Sequence, residues 1–308
     1  MLSKSEIEAI LYLLDDSDED IIQMVEQRLF SEGPEIVPVL EDYWTLNKDP
    51  LRAFRIETII HNIQKQQLEQ DFLAWLNSPD RDLFLGCTLV CRIHYPGLNQ
   101  ASMDAYLEKV RLDAWMAMYS AQNPIDKIQI LNHILFERHG ISGNTENYHS
   151  PENSFLNKVI DTRRGNPISL CNLYCIIAQR MGIPVFGVNL PQHFVLAYCE
   201  ELNPEQNIPF NSKGQLNRSD YGRGLFYVNP YSKGQVFLQK NIDEFLTAIK
   251  VEPQESFYEP CDNLEIVRRM LRNLHFSYSE LQSIEKQTLV QNYMKLLGMT
   301  GDSDSFIR

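Results

Sequence analysis

Apolar residues recur at intervals of three and four positions through the first third of the chain, which is the spacing of amphipathic helices. The residues on this spacing are Ile7, Ile10, Leu11, Leu14, Ile21, Ile22, Val25, Leu29, Ile36, Val37, Leu40 and Trp44. The acidic run DDSDED at 15–20 interrupts the pattern with helix-capping residues, and Gly33-Pro34 interrupts it again. The pattern therefore predicts short helices up to Trp44 and further helices over 51–77, 80–94 and 101–121.

The paired short helices and the Asp-rich turn between them are similar to helical repeats of the HEAT kind. The shape LLDD-x-D…L…G-x-x-x-V-P-x-L carries this resemblance. It implies a HEAT-like N-terminal region over residues 1–130.

The pattern changes near residue 140, where Gly, Asn, Ser and Pro cluster and predict a loop-rich segment. Asn166-Pro167 then begins a helix, because Asn is a favoured N-cap and Pro at the first helical position loses no needed N–H. Gly182 and Pro184 end it, so we predict a helix over 167–181. Segments rich in β-branched and aromatic residues follow and predict strands over 185–190, 193–199 and 225–229. One helix followed by three strands indicates an antiparallel α+β layer.

The last third returns to a helical period. It predicts a helix over 242–249 and then two antiparallel helices over 262–278 and 280–298, joined by a polar turn. This pair resembles a tetratricopeptide unit and is assigned to residues 241–298. The remaining residues, 299–308, are predicted to form a flexible tail.

Charge and cysteine content exclude several classes of protein. The chain has 308 residues, with 28 Lys and Arg against 41 Asp and Glu, so its net charge is −13. Nucleic acid and anionic membranes both require a positive surface, and we expect neither as a partner. The acidic N-terminus does not resemble a secretory signal, and no apolar run is long enough for a membrane helix. The six cysteines include two C-x-x-x-C pairs rather than the spacing of a disulfide framework, so reduced thiols and a cytoplasmic location are expected.

A series of ordered motifs in the middle segment resembles the transglutaminase-like superfamily, and in particular its bacterial SirB branch. The motifs are N-S-x-L-N, R-x-G-x-P-I-S-L, L-Y, R-x-G-[IL]-P and P-x-H-F, and here they run from Asn153 to Phe194. The resemblance covers residues 131–240. It implies a papain-like core, in which a helix with the nucleophile at its N-terminus packs on an antiparallel sheet that carries His and then Asp or Asn. The expected fold class is α+β, with mainly α-helical flanks around this core.

The resemblance places the nucleophile in the first turn of the helix, where the helix N-terminus lowers the pKa of a thiol. In this chain Pro167 occupies that position, and proline has no nucleophilic atom. His193 stands where the superfamily has its catalytic His, and Asn229 stands where it usually has Asp before Pro. An Asn side chain can still accept the imidazole N–H, as it does in papain-type proteases.

Two nearby residues are alternative nucleophiles. Ser169 lies at the third helical position, where a hydroxyl more commonly bonds to the backbone. Cys171 lies about 6 Å further along the helix axis than the expected site, at about 1.5 Å per residue. Its neighbours Leu170, Tyr174 and Cys175 indicate core packing, and a buried thiol without a nearby cation is inert. We expect neither residue to reach His193 productively.

No motif for a metal or cofactor is present in the sequence. His133 and Glu137 share a helix face, but H-E-x-x-H, C-x-x-C, an EF-hand loop and a Gly-rich phosphate loop are all missing. We therefore expect no metal and no cofactor.

Two functions remain open. The first is a non-catalytic transglutaminase-like protein that binds a protein or peptide through its degenerate cleft, and the loss of the nucleophile at Pro167 favours it. The alternative is a thiol or serine amidase, peptidase or transamidase with a displaced nucleophile, which the presence of His193 and Asn229 keeps open. A helical-repeat scaffold with the middle segment as a spacer is a third, less specific possibility.

Overall fold

The computed structural model describes most of the chain. The described residues are 2, 4–16, 18–46, 49–202, 216 and 218–299. The chain divides into two compact units, Met1–Ala74 and Trp75–Arg308. Of the predicted tail at 299–308, all but Met299 lies outside the described residues.

The first unit is built from helices in the part of the chain that the structure describes. These are α1 Lys4–Tyr12, α2 Glu19–Ser31, α3 Val37–Leu46 and α4 Pro50–Asn77, the last of which passes the boundary between the units. The Asp18 carboxylate caps α2 by accepting a hydrogen bond from the Asp20 N–H at 3.0 Å. Leu14, Leu29 and Leu40 are fully buried, so most of the predicted apolar period faces the core. Trp44 differs, because at 44% exposure it lies on the outer side of α3.

The second unit contains the remaining helices and all the strands of the described residues. Its helices are α5 Leu83–Arg92, α6 Gln100–Ala117, α7 Pro124–Asn132, α8 Leu156–Thr162, α9 Pro167–Arg180, α10 Gln239–Ala248, α11 Asn263–Glu280 and α12 Ile284–Leu296. The helices predicted over 80–94 and 101–121 are α5 and α6, and each begins after a side-chain cap. Helices α11 and α12 are antiparallel, since Arg268 near the start of α11 donates to the Leu297 carbonyl just after α12.

Two sheets occur in this unit. The strands are β1 Ser142–Gly143, β2 Arg164–Gly165, β3 Val185–Asn189, β4 Phe194–Glu201, β5 Tyr221–Asn229 and β6 Gln235–Phe237. Strands β1 and β2 form a small parallel pair, and the other four form an antiparallel sheet in the order β3-β4-β5-β6. The three predicted strands are β3, β4 and β5. The sequence did not predict β1, β2 and β6, because two or three residues are too few to show a period.

The two faces of the larger sheet contact different helices. Val195, Ala197 and Cys199 share one buried cluster with Ile242 and Leu246 of α10. On the opposite face, the Phe194 ring lies beside Gly187, and a Cβ on Gly187 would also meet Ile266 of α11. Side chains alternate between the two faces along β4. Phe194 therefore lies on one face, and Val195 and His193 lie on the other.

Helix α9 lies in the core of the unit, with every residue from Ile168 to Ala178 buried. It ends at Arg180, one residue before the predicted end, and Gly182 follows with a positive φ of 73° that favours glycine. The protein is thus mainly helical with a small antiparallel sheet, and it belongs to the α+β class. None of the helices in the described part of the chain has the length and apolar composition needed to cross a membrane.

Candidate functional site

The first turn of α9 is held by a closed set of hydrogen bonds. Asn166 is the N-cap, and its Oδ1 accepts from the Ser169 N–H at 3.0 Å. In return the Ser169 Oγ accepts from the Asn166 N–H at 3.1 Å, which completes a capping box. Pro167 occupies the first helical position between them. The position expected to hold a nucleophile thus contributes only a pyrrolidine ring.

The Ser169 hydroxyl is hydrogen-bonded to the backbone. The side chain is 1% exposed, and its Oγ donates to the Asn153 carbonyl at 2.6 Å. Asn153 in turn holds the preceding loop, because its Nδ2 donates to the Asn147 and Tyr148 carbonyls. Ser169 therefore joins helix α9 to this loop, and its hydroxyl proton already has an acceptor.

The Cys171 thiol lies in the core and does not open onto the cleft. The residue is 0% exposed, and its Sγ donates to the Phe194 carbonyl at 3.4 Å. Burial raises the pKa of Cys171 well above its ordinary value, and the neighbouring Cys175 and Cys261 raise it further. Cys175 is similar, since its Sγ donates to the Val185 carbonyl at 3.1 Å. Both thiols stay protonated at neutral pH and serve as apolar core groups.

His193 immediately precedes β4 and lies on the side of the sheet that faces α10. Its ring is 4.9 Å from the Phe245 ring of α10, measured between centroids. Packing against protein atoms lowers the pKa of His193 below its ordinary value, and the nearby positive charge of Arg269 lowers it further. The imidazole is therefore neutral at pH 7. Its ring lies on the opposite face of the sheet from Phe194, and Phe194 lines the cleft at the start of α9.

Asn229 is the last residue of β5 and caps the turn that follows. Its Oδ1 accepts from the Tyr231 N–H at 3.1 Å and the Ser232 N–H at 3.3 Å. The two described residues His193 and Asn229 share no hydrogen bond, and neither Ser169 nor Cys171 bonds to His193. The structure therefore does not join the four candidate residues into one site, because each of them contacts other partners.

A cleft of about 310 Å³ opens over the start of α9. Its lining includes Pro167, Phe194, Tyr148 and Phe276, together with polar side chains. The described residues that line it include Arg269 and His149 but no carboxylate. The N-terminus of a 14-residue helix adds a partial positive charge at the same place. The cleft is therefore electropositive and partly aromatic, although the chain as a whole is acidic.

Arg269 of α11 is the residue of this region that the sequence analysis missed. It is 6% exposed, and its Nη1 donates to Asn189 Oδ1 at 3.2 Å. Burial and the neighbouring Arg272 lower the pKa of Arg269 to about 10, so the guanidinium is still charged at neutral pH. A sequence signal was available, because Ile266, Arg269 and Asn273 lie at helical spacing, and the first of them is an apolar residue of the buried face.

No group of three or more His, Cys, Asp and Glu side chains that could hold a metal ion occurs among the described residues. His133 and Glu137 contact each other at 2.8 Å, but both side chains are largely exposed. This pair therefore forms a surface contact on the π-helical segment His133–Arg138 that follows α7.

Comparison with known proteins gives the family of this arrangement. The family model described as "Transglutaminase-like superfamily" matches residues 100–272. A "UPF0162 protein" of Xylella fastidiosa (strain 9a5c) is 30% identical over 216 residues, which is 67% of this chain and 68% of that protein. A "UPF0162 protein" of Vibrio cholerae is 26% identical over 192 residues, or 60% of this chain and 62% of the relative.

A third relative is much longer than this chain. "F-box only protein 21" of Homo sapiens is 24% identical over 272 residues, which cover 79% of this chain but 41% of that protein. No solved structure matches. The family match spans more than half of the chain and includes α9, the antiparallel sheet and the arginine-bearing part of α11. The chain therefore belongs to the transglutaminase-like superfamily.

Proposed function

We propose that this protein is a non-catalytic member of its superfamily that binds a protein or peptide segment in the cleft over the start of α9. In this proposal the cleft is the counterpart of the superfamily's active site, within a papain-like core. One observation carries the argument: the first turn of α9 has no free nucleophile. Pro167 has none, and the Ser169 hydroxyl and the Cys171 thiol are both buried and hydrogen-bonded to carbonyl groups.

The chemistry of the cleft fits a peptide. The exposed rings of Tyr148 and Phe276 offer an aromatic surface for an apolar side chain, and Asn273 and Ser277 offer polar groups for its backbone. The partial charge at the start of α9 and the Arg269 guanidinium favour a neutral or acidic segment over a basic one. A rigid, fully capped first turn suits a binding surface, because it has no flexibility to lose when a ligand docks.

The finer family placement is part of the same proposal. We place the protein in the SirB branch, with a HEAT-like region over 1–130, a core over 131–240, a tetratricopeptide-like pair over 241–298, and a cytoplasmic location. The relatives from Xylella fastidiosa and Vibrio cholerae support a bacterial branch, and the antiparallel helices α11 and α12 support the C-terminal pair.

A display experiment on the full-length chain tests the binding. Peptides selected from a random library on the wild-type protein are measured against Phe276→Ala and against Trp115→Ala. Trp115 is a matched control, because it is a 63% exposed aromatic residue that does not line the cleft. We expect Phe276→Ala to weaken binding about tenfold, the effect of losing one aromatic anchor, and Trp115→Ala to leave it unchanged. Peptides that bind both variants as well as wild type would contradict the proposal.

A trapping experiment tests the absence of catalysis. The protein is incubated with an activated ester and with a peptide aldehyde, and its intact mass is measured. We expect no adduct on Ser169 or Cys171, because neither atom is exposed and neither contacts His193. A covalent adduct on either residue that disappears in His193→Ala would establish the amidase or transamidase alternative instead.

A further inference from the structure

Arg269 is a buried cation that has no ionic partner among the described residues. Only 6% of it is exposed, and its Nη1 donates to the neutral amide of Asn189. Its Nε has no hydrogen-bond partner in the part of the chain that the structure describes. Burial of a charged group is strongly unfavourable unless it is paired and hydrogen-bonded. The positive charge of the Arg269 guanidinium is therefore not balanced by a negative charge among the described residues.

Arg272 lies one turn further along α11 and is also incompletely paired. Its buried Nε has no hydrogen-bond partner within the described ranges, and its Nη2 is 3.8 Å from Glu265 Oε2. The other carboxylate oxygen of Glu265 is taken by Arg268, whose Nη1 donates to it at 2.6 Å. The guanidinium groups of Arg268 and Arg272 thus share the carboxylate of Glu265. Arg269 has no carboxylate partner among the described residues, so the excess positive charge lies at Arg269 and Arg272.

Both of these arginines line one cavity of about 350 Å³ between the end of β3 and the start of α11. The cavity also includes the side chains of Asn189, Gln254 and Ser256, which can donate or accept hydrogen bonds. Glu265 is the single carboxylate among the described residues that line it. Its volume is in the range of small-ligand sites and exceeds the need of one ion.

We propose that this cavity binds a small molecule through an oxyanion group, a carboxylate or a phosphate, held between Arg269 and Arg272. Arginine provides a planar fork of N–H donors that matches both groups, and the cavity is lined by two such guanidinium groups whose charge exceeds that of its one carboxylate. The site does not depend on peptide binding in the α9 cleft. Arg269 lines both cavities, whereas Arg272 lines only this one, so the two proposals can fail separately.

Calorimetric titration of the full-length protein with inorganic phosphate and, separately, with succinate tests this site. We expect saturable binding of at least one probe, and the tighter one identifies the class of oxyanion. Arg272→Gln should weaken it about tenfold or more, because a hydrogen bond to a charged group is lost. Arg269→Lys should also weaken it, since it keeps the charge and loses the fork. Glu265→Gln should strengthen binding, because it removes the carboxylate that competes for Arg272.

The matched control is Arg111→Gln, which removes the same charge from an arginine paired with Glu108 outside the cavity, and it should leave the affinity unchanged. The Nε–H signals of Arg269 and Arg272 in a nitrogen–proton NMR spectrum should shift with the probe. Equal binding in wild type, Arg272→Gln and Glu265→Gln, or no saturable binding of either probe up to about 10 mM, would overturn the proposal. Circular dichroism verifies folding, and if Arg269→Lys misfolds, the Arg272 and Glu265 variants still decide.

Discussion

The first turn of α9 differs from the arginine face of α11, by which we mean the side chains of Arg269 and Arg272, in how far its polar groups are hydrogen-bonded. Asn166 and Ser169 satisfy each other and the neighbouring backbone in a closed set of hydrogen bonds. Arg269 is buried and Arg272 is partly buried, and the Nε of each has no hydrogen-bond partner among the described residues. Both segments lie in the second unit, and Arg269 also lines the cleft over α9.

This difference teaches how buried polar residues divide between structural and binding roles. Buried donors without partners are rare in native proteins, because each one costs the full free energy of its desolvation. A satisfied cluster such as the α9 turn stabilises the fold without a ligand. An unsatisfied one lowers the stability of the fold, and in our proposal a bound oxyanion offsets this cost at Arg269 and Arg272. The position that the family resemblance marked for chemistry is thus structurally complete, and the incomplete group lies on another helix.

The largest effect we expect concerns the thiols behind the α9 turn. Cys171 and Cys175 should react with iodoacetamide more than about a hundredfold slower in the native protein than in urea, because a buried, protonated thiol reacts only after local opening. Peptide mapping by mass spectrometry measures the rates. Fast modification of Cys171 that is abolished by His193→Ala would show that the thiol is activated. The α9 turn would then have a chemical role, and its contrast with the arginine face would not hold.

The closed hydrogen bonds at Asn166 predict a second effect. Asn166→Ala removes the N-cap and the hydrogen bond from Nδ2 to Ser154, so the free energy of unfolding should fall by about 2 kcal/mol. Urea denaturation followed by circular dichroism measures it. Asn99→Ala, at the exposed N-cap of α6, is the control and should cost about 1 kcal/mol or less. Equal losses would mean that the α9 cap is no more than an ordinary one.

The arginine face should respond in the opposite direction. In a buffer free of oxyanions, Arg269→Met should raise the free energy of unfolding by about 1–2 kcal/mol, because it replaces an unpaired buried charge with an apolar side chain. Arg111→Met, which breaks a surface pair, should change it by less than about 1 kcal/mol. A marked loss of stability in Arg269→Met would show that this arginine stabilises the fold, as the α9 turn does, without a ligand.

The smallest effect concerns the pKa of His193, which the positive charge of Arg269 helps to lower. Because its folded pKa lies below the unfolded value of about 6.5, the unfolded chain takes up the proton first as the pH falls. The stabilisation by the neutral ring is therefore complete above pH 6.5 and is lost between about 6.5 and the folded pKa. NMR titration should show this pKa rising in Arg269→Met, since one of its two causes is gone. An unchanged value would leave desolvation as the whole cause.

The sequence by itself determined the elements whose signals are local. Asn166-Pro167 and Gly182 placed both ends of α9 within one residue, because capping depends on residues a few positions apart. The strands β3, β4 and β5 were predicted from β-branched and aromatic runs, and the motif order indicated the superfamily. The inward position of Cys171 also followed from the helical spacing, since it depends only on the turn of one helix.

Tertiary structure alone decided the surroundings of the charged and titratable side chains. Helical spacing places Arg269 on the face of Ile266, but it does not show what packs against that face. Arg269 is buried there, whereas its neighbour Arg268 pairs with Glu265 and the Leu297 carbonyl. The direction in which His193 faces was set by the register of β4 and by Phe245 of α10, about fifty positions later in the chain. Such outcomes depend on which elements pack together, because the burial and electrostatic free energies of a side chain come from residues that are distant in sequence.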